Sequence, residues 1–204
     1  MPNGETYKRT LDCLKGSANV VAACWGEPGT GKTRCAVEAG ITGDYRQVAV
    51  LRPPTSFGRG YGYLPGELES KVSVWVQNIK DLYADLGKFP DKHMEDGTLK
   101  FPSFEHIQGC TFDHTMFIVD EAENCSLKEL KVLMTRCGVG STVVLCGDTG
   151  QTSDNQKNSG FAQVVGMLEK SSSPSMQSFD FTNAKCYRSE LCGEVNAMFK
   201  ENGL

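Results

Sequence analysis

Eight residues, GEPGTGKT from Gly26 to Thr33, match the spacing G-x-x-x-x-G-K-[ST], and each fixed position has a chemical reason. Glycines at 26, 29 and 31 allow backbone conformations that a Cβ forbids, so successive N–H groups can converge on one anion. Lys32 is spaced to reach β- and γ-phosphates, and the Thr33 hydroxyl to hold Mg²⁺. The expected nucleotide-binding set is therefore Gly26, Glu27, Pro28, Gly29, Thr30, Gly31, Lys32, Thr33 and Arg34. A glycine-rich turn would share this composition. Only a buried strand entering the loop and a helix leaving it separate the two readings.

Two further stretches could complete such a site. In MFIVDEAEN (Met116 to Asn124), four apolar residues end in adjacent carboxylates. At the C-terminal end of a parallel strand, Asp120 would serve Mg²⁺ and Glu121 would take a proton from the attacking water. An Asp-Glu pair after a strand can also simply cap a helix; its partnership with Lys32 and Thr33 favours chemistry. In STVVLCGDTGQ (Ser141 to Gln151), another strand ends in Gly147-Asp148. Gln151 is placed to hydrogen-bond a γ-phosphate and report its loss. The metal pair is thus Thr33 and Asp120, and the catalytic candidates from spacing are Lys32, Glu121 and Gln151.

These residues need a scaffold that gathers strand ends. Short apolar runs alternate with helix-length segments, which predicts an α/β fold with a parallel sheet. Strands are expected at Ala18–Trp25, Gln47–Leu51, Thr115–Val119, Thr142–Cys146 and Gln177–Phe181. Helices are expected near 5–10, 32–40, 126–136, 159–170 and 189–200. Between the second and third strands lies one long departure, about Pro53 to Phe112, opening with PPTSFGRGYGYLPG and continuing as a helix over Glu67 to Leu86. An insertion of that size commonly grips a substrate or partner, or else acts as a lid.

Composition narrows the classes. The chain has 204 residues, 39% hydrophobic and 23% charged, as one domain spanning 1–204 would. A net charge of −4 supplies no general field to attract nucleic acid. Nine cysteines without a C-x-x-C pair argue against a secreted disulfide framework and a structural zinc site. No apolar run reaches membrane-spanning length, and MPNGETYKRT lacks a signal-peptide core, so a cytoplasmic protein with no membrane partner is expected.

In order along the chain, GEPGTGKT, RPPTSFGRGYGYLPGELESK, FIVDEAEN, LMTRCGVGS, VVLCGDTGQTSD and CYRSEL resemble PhoH-like proteins, single-domain relatives of superfamily 1 helicases. The resemblance runs from Asn3 to Phe199. It implies a RecA-like P-loop NTPase core, ATP and Mg²⁺ as ligands, and ATPase activity linked to single-stranded RNA or DNA. It also implies homo-oligomeric rings, a hexamer among them. By position Arg188 becomes the arginine-finger candidate and joins Lys32, Glu121 and Gln151 in the catalytic set. Arg52 and Arg136 match family arginines without an assigned duty. Three places depart from the family pattern: NGETY lacks a glutamine before its tyrosine, an arginine-rich stretch reads Gln108-Gly109-Cys110-Thr111, and DEAQN reads DEAEN with Glu123. Two other functions share the phosphate cradle. A nucleotide-dependent switch or scaffold needs no nucleic acid, and a small-molecule kinase would need an acceptor pocket in place of the water-aiming Glu121.

Overall fold

The inner strands of the sheet, Val21–Trp25, Gln47–Leu51, Thr115–Val119 and Thr142–Gly147, are mostly apolar because both of their faces are buried. In the computed structural model, which describes residues 4–16, 19–53, 67–107, 111–150, 160–182, 184, 186–187 and 189–201, side chains alternate between two cores. Ala22, Cys24, Val48, Val50, Met116, Ile118, Val144 and Cys146 enter one. Ala23, Ala49, Leu51, Phe117, Val119, Val143 and Leu145 enter the other. That two-sided burial is what all-parallel sheets require.

The described elements run α1 (Glu5–Gly16), β1 (Val21–Trp25), α2 (Lys32–Thr42), β2 (Gln47–Leu51), α3 (Glu67–Asp85), α4 (Pro90–Glu95), β3 (Leu99–Lys100), α5 (Phe104–Ile107), β4 (Thr115–Val119), a 3₁₀ turn (Ala122–Asn124), α6 (Leu127–Met134), β5 (Thr142–Gly147), α7 (Gly160–Glu169), β6 (Met176–Asp180) and α8 (Glu190–Glu201). The sheet order is β3-β2-β4-β5-β1-β6, every pairing parallel. Residues of α1, α2 and α3 cover one face and those of α6 and α7 the other. The expected α/β class, RecA-like P-loop NTPase core and insertion between β2 and β4 are therefore what the chain forms.

Among the described residues six strands stand where five are expected. The sixth, β3, lies inside the insertion and pairs with β2 through only Val48↔Leu99 and Ala49↔Lys100. Two residues carry no periodic signal, so pairing with an existing edge decides their conformation. α1 runs six residues beyond the expected 5–10, and its buried Tyr7, Thr10 and Leu14 mark one helical face. The first strand starts later than expected, after Asn19 in a left-handed conformation (φ 63°).

The insertion helix α3 packs by Trp75, Ile79 and Tyr83, spaced four apart on one face. Trp75 meets Phe101 edge-on with ring centroids 5.4 Å apart, and Lys80 pairs with Asp91 of α4 at 2.5 Å. These contacts fix α3 beside α2, whose Arg34 pairs with Asp85 at 2.9 Å. The stretch 54–66 of the insertion lies outside the described residues.

Candidate functional site

β1, β4 and β5 end side by side, and each delivers one part of a cavity of about 600 Å³. After β1, Gly26, Gly29 and Gly31 have φ of 140°, 79° and 89°, values open to glycine and strained for other residues. Gly31 is also the N-cap residue of α2, so the helix's free N–H groups begin at the loop's end. Thr30 is buried and donates to the Glu27 carbonyl at 2.8 Å. Tyr187 N–H donates to the Gly29 carbonyl at 2.8 Å, so the segment before α8 braces the loop from behind. Pro28, Gly29, Lys32 and Thr33 line the cavity.

Lys32 donates to the Gly26 and Glu27 carbonyls at 2.6 and 2.7 Å. Burial pushes its ammonium below the ordinary lysine range. Phosphate oxygens would give that buried charge stronger partners than two carbonyls can. Arg34 turns its guanidinium towards Asp85 and ties α2 to α3.

After β4, Asp120 and Glu121 reach the same cavity. Asp120 Oδ1 accepts from the Thr33 hydroxyl at 2.8 Å, joining residues 87 positions apart. Its second oxygen accepts from the Trp75 indole at 3.2 Å. Asp120 N–H donates to the Leu51 carbonyl at 2.8 Å, anchoring the doublet to β2. Glu121 sits at φ 53°, left-handed for a residue with a Cβ, and its carboxylate forms an ion pair with Arg52. The next helix is set by a capping box: Ser126 Oγ accepts from Glu129 N–H and the Glu129 carboxylate accepts from Ser126 N–H, worth about 1 kcal/mol.

The donor set fits Mg²⁺: a hydroxyl and a carboxylate oxygen already within hydrogen-bond distance, both hard ligands. Among the described residues no group of three or more His, Cys, Asp or Glu could hold a metal ion. Mg²⁺ does not need one, since it keeps several waters and takes its remaining ligands from substrate phosphates.

Glu123, from the 3₁₀ turn, lines the cavity and accepts from Asp148 N–H at 3.2 Å. Counted from sequence it adds a full negative charge. Burial, with the Glu121 and Asp120 charges adding to it, raises its pKa to about 7, so near neutral pH the charge is only partly present. The carboxyl binds its proton more tightly in the folded chain than in the unfolded one. Its contribution to stability is therefore complete below the unfolded value of 4.5 and is lost as pH rises through about 7. Glu123→Gln, neutral at every pH, should match the parent near pH 5 and exceed it by ~1–2 kcal/mol at pH 8, after discounting for solvent screening. Thermal melts of both proteins at the two pH values, without nucleotide, check this; parallel shifts would refute it.

Two of the expected residues, Gln151 and Arg188, lie outside the described residues. Trp75 has no expected role, and Arg52 has no expected duty. The signal for Arg52 was its place directly after a strand, at the sheet end where ligands gather. Trp75 gave none.

A glycine-rich loop opening a helix, a hydroxyl–carboxylate pair and a second carboxylate at the C-terminal edge of a parallel sheet define the class: a protein with a RecA-like P-loop NTPase core. Residues 1–200 match the family model described as PhoH-like protein, and the chain belongs to that family. Protein PhoH2 of Bacillus subtilis (strain 168) is 36% identical over 154 residues, covering 69% of this chain and 35% of its own length. A PhoH-like protein of Synechocystis sp. is 34% identical over 155 residues, covering 71% and 47%. This chain thus spans about half or less of the length of these curated relatives. Among solved structures, a chain in "Structure of Drosophila ORC bound to DNA" overlaps 98% of this one and 50% of its own at 13% identity, with a TM-score of 0.33.

Proposed function

We propose that the chain binds ATP with Mg²⁺ and hydrolyses it, and that turnover is coupled to single-stranded RNA or DNA. The observation that carries the hydrolytic reading is the 2.8 Å bond from Thr33 Oγ1 to Asp120 Oδ1, which joins the phosphate loop to the carboxylate pair. Loop and α2 N–H groups with Lys32 would hold the triphosphate tail, and Thr33 and Asp120 would hold the metal. Bound there, Mg²⁺ neutralises charge shared by the β- and γ-phosphates. Glu121 takes the proton of the attacking water, and Gln151 reads the γ-phosphate.

The family resemblance supports the nucleic-acid coupling and a homo-oligomeric ring. In such a ring a neighbouring copy would present Arg188 to the nucleotide as its finger. Such a finger is worth ~10³–10⁵ in rate. One titration tests both parts. Phosphate release from ATP should require Mg²⁺, rise with single-stranded RNA or DNA, and rise per subunit with protein concentration as copies assemble. Full turnover at a light-scattering mass of one chain would remove the ring. Absence of Mg²⁺-dependent phosphate release would remove the ATPase reading. Among the described residues no helix is long and apolar enough to cross a membrane.

A further inference from the structure

Arg52 is the first residue after β2, and its guanidinium is paired with the carboxylate of Glu121. Both side chains line the cavity that also presents Lys32, Thr33 and Asp120. They are 18% and 35% exposed, so the pair meets the cavity more than bulk water. The pairing conflicts with the role given to Glu121 above. The Glu121 oxygen bonded to the guanidinium is occupied and not open to a water. Glu121 has a left-handed backbone at φ 53°, and its side chain meets the first residue after β2 in that pair. Lys32 shows the same logic, its ammonium held by two carbonyls of its own loop.

A γ-phosphate competes well for such a cation. It carries more charge than one carboxylate, and its oxygens match the planar guanidinium fork in bidentate fashion. We propose that Arg52 is a γ-phosphate ligand that exchanges partners, leaving Glu121 for the third phosphate and thereby freeing Glu121 to accept the water proton. The exchange rests on the ATPase reading and goes beyond it. It makes activation of the base conditional on a triphosphate, so ADP leaves the Arg52–Glu121 pair closed. Arg52 then touches substrate from the same chain, whereas the finger assigned to Arg188 comes from a neighbour.

The test compares dissociation constants for ADP and for the non-hydrolysable triphosphate adenylyl imidodiphosphate, both with Mg²⁺, in the wild type, Arg52→Ala and Arg52→Lys. Arg52→Ala should weaken triphosphate binding ~10–100-fold, the worth of a charge-assisted hydrogen-bond pair, and change ADP binding less than about twofold. Arg52→Lys keeps the charge without the fork and should fall between. Retained ADP binding reports that a variant is folded; should Arg52→Ala lose it, Arg52→Lys carries the same comparison. Equal losses for both nucleotides, or triphosphate binding unchanged in both variants, would overturn the role of Arg52 while leaving the ATPase reading intact. A wild-type chain that binds neither nucleotide would overturn both.

Discussion

Glu121→Gln should reduce phosphate release from ATP by ~10²–10⁴-fold, the usual contribution of a positioned general base, while ATP binding holds or tightens. The amide has nearly the carboxylate's shape, so the backbone at φ 53° and the neighbouring Asp120–Thr33 bond are not disturbed. What is lost is the ability to take a proton. Two electrostatic effects act together on binding: one negative charge leaves a cavity that must receive a polyphosphate, and the ion pair to Arg52 becomes an ordinary hydrogen bond. Both favour the bound triphosphate. Single-turnover phosphate release and equilibrium binding, measured on the same preparation, separate the two quantities. Unchanged release would take the base role from Glu121 and leave its ion pair with Arg52 as a structural contact alone. A parallel loss of release and of binding would place Glu121 in the cavity's architecture instead of its chemistry.

What could be seen in advance followed from how far apart the cooperating residues lie in the chain. The phosphate loop is local: glycine positions, lysine and threonine fall within eight residues, and the left-handed angles at Gly26, Gly29 and Gly31 follow from residue type. The central strands announce themselves because burial on both faces demands unbroken apolar runs. The contacts that tune the doublet are of another kind. Trp75 reaches Asp120 across 45 positions and Arg52 reaches Glu121 across 69. Both depend on where the insertion lays α3 and on how β2 and β4 pair, and no periodicity encodes either. Glu123 illustrates a third limit, since its carboxyl keeps a proton to about pH 7 only because the 3₁₀ turn buries it near two other acids. The two-residue β3 was unreadable for the opposite reason: it has too few residues to form a pattern, and its conformation comes from β2.

Gly26→Ala should damage both stability and nucleotide binding more than its single methyl would suggest. The residue joins β1 to the phosphate loop at φ 140°, outside the range that an L side chain adopts without strain. Its surroundings leave no room either. An added Cβ would lie 2.7 Å from Phe181 C and 2.7 Å from Thr182 N, both backbone atoms. Those atoms cannot swing aside, because Phe181 N–H donates to the Trp25 carbonyl at 2.7 Å and Gly26 N–H is itself bonded to the Gly147 carbonyl at 3.3 Å. Backbone strain of ~1–3 kcal/mol and overpacking of ~1–3 kcal/mol therefore add, a large share of the ~5–15 kcal/mol that holds a domain folded. For a domain of this size the melting temperature should fall by ~5–20 °C. Whatever remains folded must move the end of β1 away from β6, which turns the loop's N–H groups out of convergence and weakens triphosphate binding. Gly166→Ala supplies the contrast. It lies within α7, where an added Cβ meets nothing within 4 Å, and replacing a helical glycine there should raise stability by ~1 kcal/mol without touching the loop. If the two variants melted alike, the close approach of Phe181 to Gly26 would not be what shapes the loop, and the positioning of Lys32 and Thr33 would need another cause.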